Sequence, residues 1–406
     1  MNLDPTPPER MIDLLGPPIF GDRSLFPELG ARIYLNHAAI SPPSSHVIEC
    51  AARVPRSYAR LGVDAFGLWI AQRDRLRATL ARLIGAHPAD IGLVPSTTMG
   101  IVSIAMNMNW RPGDRIILFE GEFPTNITPW QRAAEQFQLE LCMLPLDGFD
   151  DESGRGLERL EQELRSGARL VACSAVQFQT GLAMPLQAMG ELCQRHDCLL
   201  SVDAIQAAGV IPIDVIASGI DFLISGSHKW LMGLEGCGFV YVAPQRLASL
   251  VPRMAGWLSH EDGLGFLFRG EGHLRYDRPI RQRADWLEMG AQNTLGFAAL
   301  EASVDLLMHL GIPAIYAHTQ TWIDSIEPEL RARGFQSLRA ADPRARSGIL
   351  SLKPPRDQDL LALAAHMNGN GISVSTPDGC LRLAPHWPND PDEICSVLDV
   401  IDRAPQ

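Results

Sequence analysis

The chain has 406 residues, with 35 basic and 47 acidic side chains and a formal charge of −12, a balance that argues against nucleic acid or an anionic membrane as its main partner. Its length favours two domains over one. No apolar run approaches the roughly 18 residues of a membrane span, and the opening MNLDPTPPER lacks the layout of a secretory signal, so a cytoplasmic location is expected. The 8 cysteines show neither a CxxC pair nor a Cys/His cluster at zinc spacing, which predicts reduced thiols and no metal site. Of the 35 basic residues only Lys229 and Lys353 are lysines, so chemistry that demands a lysine has two candidates.

Before about Arg32 the chain is rich in Pro and Gly and reads as an irregular arm with one short helix near Glu9 to Leu15. YLNHAAISPPS (Tyr34 to Ser44) then breaks from an apolar start into turn chemistry. From Asp64 to Gly85 apolar residues recur at helical spacing, with Gly85 as the stop. Short apolar runs follow at Arg115 to Phe119, Leu139 to Leu144, Leu170 to Val176, Cys198 to Val202, Phe222 to Ser225 and Gly238 to Val242, separated by helical stretches such as Leu186 to His196. That alternation predicts an α/β domain with a mostly parallel sheet covered on both faces. From Thr294 onward two long helices (Leu295 to Leu310, Ile315 to Arg333) precede alternating strands and helices, which suits a smaller α+β domain.

Ligands of an open α/β sheet bind outside the carboxyl ends of its strands, so the residues that follow each run carry the most information. Asp203 follows CLLSV, where a buried carboxylate needs a partner; it reads either as a cap of the next turn or as a site acid. Lys229 and His228 lie in GSHKWLMGLEG, a turn between two strands. A desolvated lysine amine can form an imine, which arginine cannot. Ser96, Thr97 and Thr98 precede a helix expected from about Gly100 and would serve as an anion site or as a plain N-cap. Phe123, in GEFPTN, could lie on a planar ring or belong to the core. Taken together, a phosphate cradle, an aromatic, an acid and a lysine are the requirements of pyridoxal phosphate (PLP). The glycines of GLEGCG precede a strand rather than follow one, so no dinucleotide fingerprint is present and a nucleotide-binding oxidoreductase is set aside.

In these motifs the sequence resembles the class V aminotransferase family of fold-type I PLP enzymes, which includes cysteine desulfurases, isopenicillin N epimerase-like proteins and kynureninases. The resemblance runs from about Tyr34 to Leu398. It implies a large domain over residues 31–294 with a seven-stranded-type sheet between helices, a small α+β domain over 295–406, and an arm over 1–30 that joins the small domain. It further implies that Lys229 carries the cofactor as a Schiff base, Asp203 pairs with the pyridine nitrogen, Gln206 bonds the ring hydroxyl, and Phe123 stacks on the ring. Thr97, Thr98 and His228 would hold the phosphate, with Ser227, Asn293 and Thr294 as further cofactor contacts. Arg382, in CLRLAPHW, would grip the substrate α-carboxylate, a task suited to its planar fork. Asn36 and His37 would line the substrate side. A homodimer with the site at the subunit interface is implied as well.

Two departures concern the phosphate shell: Ala291 stands where the family often places a threonine, and Gly226 where a serine is usual, with Ser225 and Ser227 beside it. A third concerns sulfur, since the stretch before Arg382, STPDGC, is too short to deliver Cys380 as the desulfurases' loop-borne nucleophile. The expected activity is therefore aminotransferase-type chemistry on a small amino acid, with C–S β-elimination as the alternative and epimerisation third. An epimerase needs a second base opposite Lys229, for which His37 is the candidate. The rival from another class is a fold-type I binding protein without catalysis.

Overall fold

The computed structural model describes residues 7–405, so the first six residues of the expected arm and Gln406 lie outside it. The chain opens with α1 (Met11–Leu15), β1 (Ile33–Tyr34), α2 (Ser45–Leu61) and α3 (Ala65–Ile84). The central part alternates: β2 (Ile91–Val94), α4 (Thr97–Asn107), β3 (Arg115–Phe119), α5 (Thr128–Phe137), β4 (Glu140–Leu144), α6 (Arg155–Arg165), β5 (Leu170–Ser174), α7 (Leu186–Arg195), β6 (Leu199–Asp203), β7 (Phe222–Gly226) and β8 (Gly238–Val242). After the short α8 (Gly265–Phe268) come α9 (Thr294–Leu310), α10 (Ile312–Ala332), β9 (Gln336–Ser337), β10 (Leu350–Lys353), α11 (Leu360–Gly369), β11 (Ile372–Ser373), β12 (Leu381–Leu383) and α12 (Glu393–Asp402).

Seven strands form one sheet in the order β2-β8-β7-β6-β5-β3-β4. Every residue of β2, β5, β6, β7 and β8 is buried. These strands therefore read as continuous apolar runs, with helices closing both faces. β8 alone runs against its neighbours. The segment joining it to β7 holds no crossover helix, so the chain can only turn back. All other strands point the same way, which gathers their carboxyl ends on one edge.

A second core lies around Trp322, Ile326, Leu352, Leu383 and Val397, where α10, α11 and α12 pack on the antiparallel sheet β12-β10-β9. Two boundaries differ from the sequence expectation. Met11 packs with α2, α3 and α9, and Phe26 belongs to the large core; the chain enters the second core only at Ile33 and Leu35, where β1 pairs parallel with β11, so that segment rather than residues 7–30 joins the small domain. At the other end α9 and the start of α10 pack into the large core through Phe297, Leu300, Ile312 and Ile315. The change of core thus falls inside α10 rather than at residue 294, because α9 is needed to cover α2 and α3.

Helix α2 was not anticipated, since Pro55 lies inside it and Pro42 and Pro43 precede it. It forms because Ser44 caps it, accepting from the Val47 amide, and because His46, Val47, Cys50 and Val54 make one buried stripe. Among the described residues no single helix is long and apolar enough to cross a membrane; α9 and α10 pass that test only as a pair bent by 77°.

Candidate active site

The strand-end rule locates a cavity of about 410 Å³ at the carboxyl edge of the sheet. Its wall includes Asp203, Gln206, Lys229, His228, Phe123 and Arg382, together with Thr97 and Thr98. A larger recess of about 670 Å³, between α3 and the segment Trp257 to Thr294, contains none of these groups. Chemistry rather than size therefore picks out the site.

Asp203 ends β6 and is buried, with Oδ1 accepting from the Ile205 amide at 2.9 Å. No described cation lies within salt-bridge distance of it. Burial raises its pKa, the Glu122 carboxylate adds to the rise, and the nearby Lys229 ammonium offsets part of it. The Lys229 amine stands 5.4 Å from the centre of the Phe123 ring. Burial lowers its pKa, against the pull of Asp203, and Arg382 adds to the lowering. Desolvation thus favours an unprotonated, nucleophilic lysine.

Also at the cavity, Ser96 caps α4 through the Met99 amide at 3.1 Å, leaving the amides of Thr97 and Thr98 without intrahelical partners. α4 therefore begins at Thr97, three residues before the position expected from the sequence, and both threonines belong to its first turn. Thr97 Oγ1 accepts from the Gly226 amide at 2.8 Å. A Cβ on residue 226 would lie 3.0 Å from that oxygen, which accounts for glycine where a serine is usual.

Arg382 is buried, donating from Nη1 to the Phe178 carbonyl at 2.9 Å and from Nε to Ser375 Oγ at 3.2 Å. No described carboxylate pairs with it, and burial holds its pKa down to about 10.

Five expected site residues do not line this cavity. Ser227 is buried and donates to the Leu234 carbonyl, with Cys237 Sγ 3.0 Å away, because the turn after β7 folds its side chain under the loop. Asn293 caps α9 and donates to the Gly236 carbonyl at 3.0 Å. Thr294 Oγ1 accepts from Arg73 at 3.3 Å and lines the larger recess. Asn36 sits in a bridge to Ala384. His37 is only 2% exposed and packs between Tyr34 and His386, at 5.1 and 5.3 Å between ring centres. The turn presents Ala38 to Ile40 to the cavity instead, so the second base required of an epimerase is not supplied by His37.

Sequence reasoning missed Phe178, which meets Phe123 edge-on at 5.3 Å, and Glu122, which accepts from the Ser174 amide at 2.6 Å and from Gln177 at 2.9 Å. The strand-end rule, applied after β5, would have found Phe178. Glu122 adjoins Phe123 in the sequence.

The donor set fits PLP. Asp203 lacks a cationic partner, which a protonated pyridine nitrogen would supply. Gln206 Oε1 accepts from Trp230 Nε1 at 2.8 Å and Gln206 Nε2 donates one hydrogen to the Ala38 carbonyl at 3.0 Å, keeping the other hydrogen for a ring oxygen. The free amides of α4 suit a phosphate.

The comparisons agree. The aminotransferase class-V family matches residues 33–388, and the chain belongs to that family of PLP-dependent enzymes. An uncharacterized aminotransferase, YcbU, of Bacillus subtilis is 27% identical over 386 residues, spanning 93% of this chain and 96% of its own. A cysteine desulfurase of Escherichia coli is 28% identical over 372 residues, 88% of each chain. Among solved structures, a cystine C–S lyase, C-DES, in complex with cysteine persulfide superposes with a TM-score of 0.84 at 22% identity, covering 94% of this chain and 100% of that one. A cysteine desulfurase from Thermococcus onnurineus does so with a TM-score of 0.80 at 22% identity, covering 91% and 94%.

Proposed function

We propose that this enzyme works on the α-amino group of a small amino acid by aminotransferase-type chemistry, with Lys229 as the residue that carries the cofactor and moves the α-proton. The observation that carries the reading is one cavity in which a desolvated lysine, an unpaired buried carboxylate and an unpaired buried guanidinium converge. When bound, PLP supplies an electron sink for the charge released at the substrate α-carbon. Asp203 would hold positive charge at the ring nitrogen, and Thr97 and Thr98 would hold the phosphate. Arg382 would bind the substrate carboxylate, which fixes the α-carbon relative to Lys229. Lys229 Nζ, unprotonated, would take the α-proton. Returning it elsewhere gives aminotransfer, whereas keeping it while a β-substituent departs gives elimination.

Sulfur transfer onto an enzyme cysteine is disfavoured, because no cysteine lines the cavity among the described residues. Cys380 is buried, and burial pushes its thiol pKa up. We also propose a cytoplasmic homodimer: Ala291, Gln292 and Thr294 face a separate recess beside the half-exposed Trp257, where only a second copy could bring them to a cofactor. Light scattering at micromolar concentration checks that state.

The reaction is tested by incubating the purified chain and PLP with a panel of L-amino acids, with and without a keto-acid acceptor. Acceptor-dependent keto acid without ammonia is the expected result. Acceptor-independent ammonia or sulfide would establish elimination, and no product from any amino acid would overturn the reading.

A further inference from the structure

Four consecutive carbonyls of the loop that carries Lys229 each accept a hydrogen bond from a distant part of the chain. The Ser41 amide donates to the His228 carbonyl at 2.7 Å, and Ser41 Oγ to the Lys229 carbonyl at 2.6 Å. His386 Nε2 meets the Trp230 carbonyl at 2.9 Å, and Ser303 Oγ donates to the Leu231 carbonyl at 2.6 Å. The donors come from the turn after β1, the segment after β12, and α9. Trp230 and Leu231 are buried, so carbonyls here are costly without partners, and the partners that meet them come from three separate parts of the chain, which ties the loop's backbone to all three.

The hydrogen bonds also fix both imidazoles. The single Ser41 hydroxyl hydrogen goes to Lys229, so Ser41 Oγ must accept from His37 Nδ1 at 2.8 Å. His386 Nδ1 accepts from the Trp387 amide at 2.7 Å, which leaves its hydrogen on Nε2 for Trp230. The two rings meet edge-on at 5.3 Å and are buried, at 2% and 0% exposure. Burial lowers both pKa values, that of His386 to about 4, so both rings are neutral near pH 7. Trp230 extends the chain of contacts to Gln206 at 2.8 Å, on the cavity wall.

We propose that Ser41, oriented by His37, and His386 form a positioning set that locks the backbone of Lys229 and thereby aims its amine into the cavity. None of the three touches the reacting atoms. The proposal rests on the reading that Lys229 is the residue that binds PLP covalently.

The experiment titrates PLP-free protein with PLP, following the visible absorbance and circular dichroism of the bound chromophore, and counts borohydride-fixed label per chain. Ser41→Ala is expected to keep one label per chain while binding PLP about tenfold more weakly, the worth of one buried hydrogen bond, and with reduced visible dichroism. Ser41→Thr, which keeps the hydroxyl, should restore both. Ser41→Cys, similar in volume but a weak donor, gives the same reading should the alanine variant fail to fold. Ser44→Ala is the control: it removes another buried hydroxyl of the same segment, the α2 cap, and should lower the melting temperature without changing PLP binding. Unchanged binding and dichroism in Ser41→Ala would overturn the proposal, as would equal weakening in Ser41→Ala and Ser44→Ala. A wild-type chain that takes no label would overturn this proposal and the function reading together, whereas labelled wild type with an indifferent Ser41 would overturn the positioning set alone.

Discussion

Replacing Asp203 by Asn separates what the carboxylate costs the empty protein from what it does for the loaded one. Asp203 is buried, with one amide as its hydrogen-bond partner and no salt bridge among the described residues. Its pKa is raised, chiefly by burial. A raised carboxyl pKa means that the folded chain binds the proton more tightly than the unfolded chain. Stability is then fully present at low pH and is lost as pH rises through the folded value. Each unit of displacement is worth about 1.4 kcal/mol, and the ammonium of Lys229 offsets part of it. Asn keeps the acceptor for Ile205 without the charge. The PLP-free variant should therefore be more stable than wild type by about 1–3 kcal/mol at pH 8, with the difference shrinking toward pH 4. With PLP bound the order should reverse, because Asp203 gains a cationic partner and Asn cannot. Turnover should fall on the order of 10²- to 10³-fold. Urea midpoints of both forms between pH 4 and 8 supply the assay. A PLP-free Asp203→Asn protein that is less stable than wild type at pH 8 would refute the description of Asp203 as a buried charge that its surroundings only partly offset.

Arg382→Lys should raise KM for amino-acid substrates roughly tenfold to a hundredfold, because lysine offers no planar fork to a carboxylate; steady-state kinetics show it, while PLP binding stays near wild type. Gly226→Ala would place a Cβ 3.0 Å from Thr97 Oγ1 and 3.2 Å from Ile205 Cδ1. It should cost about 1–3 kcal/mol in stability and weaken PLP binding, as read from urea midpoints and an absorbance titration. Cys380→Ala should leave turnover of every substrate, cysteine included, within about twofold of wild type; a much larger loss would return a thiol to the mechanism.

The sheet was legible because a strand buried on both faces leaves an unbroken apolar run, and the lysine, acid and aromatic were legible because they stand directly after such runs. Arg382 needed the family resemblance, since its strand is only three residues long. Ser227 and Lys229 are two residues apart in one turn, yet one side chain lies under the loop and the other lines the cavity. That difference is set by backbone torsions which spacing does not encode. Helix α2 was hidden by its prolines, whose cost is met by packing against α9, a long-range effect. The contacts of Ser41 and His386 with the lysine loop join residues 188 and 156 positions apart, beyond the reach of any local pattern. The expectation for His37 failed for the same reason: only the fold reveals that it faces His386 rather than the cavity.

The central claim is that Lys229 binds PLP covalently, and the presence of only two lysines makes the test clean. The chain would be incubated with PLP, reduced with borohydride, digested and mapped by mass spectrometry. The account predicts one phosphopyridoxyl group per chain, on Lys229, and none on a Lys229→Ala variant. Label on Lys353, or none on the wild-type chain, would contradict it.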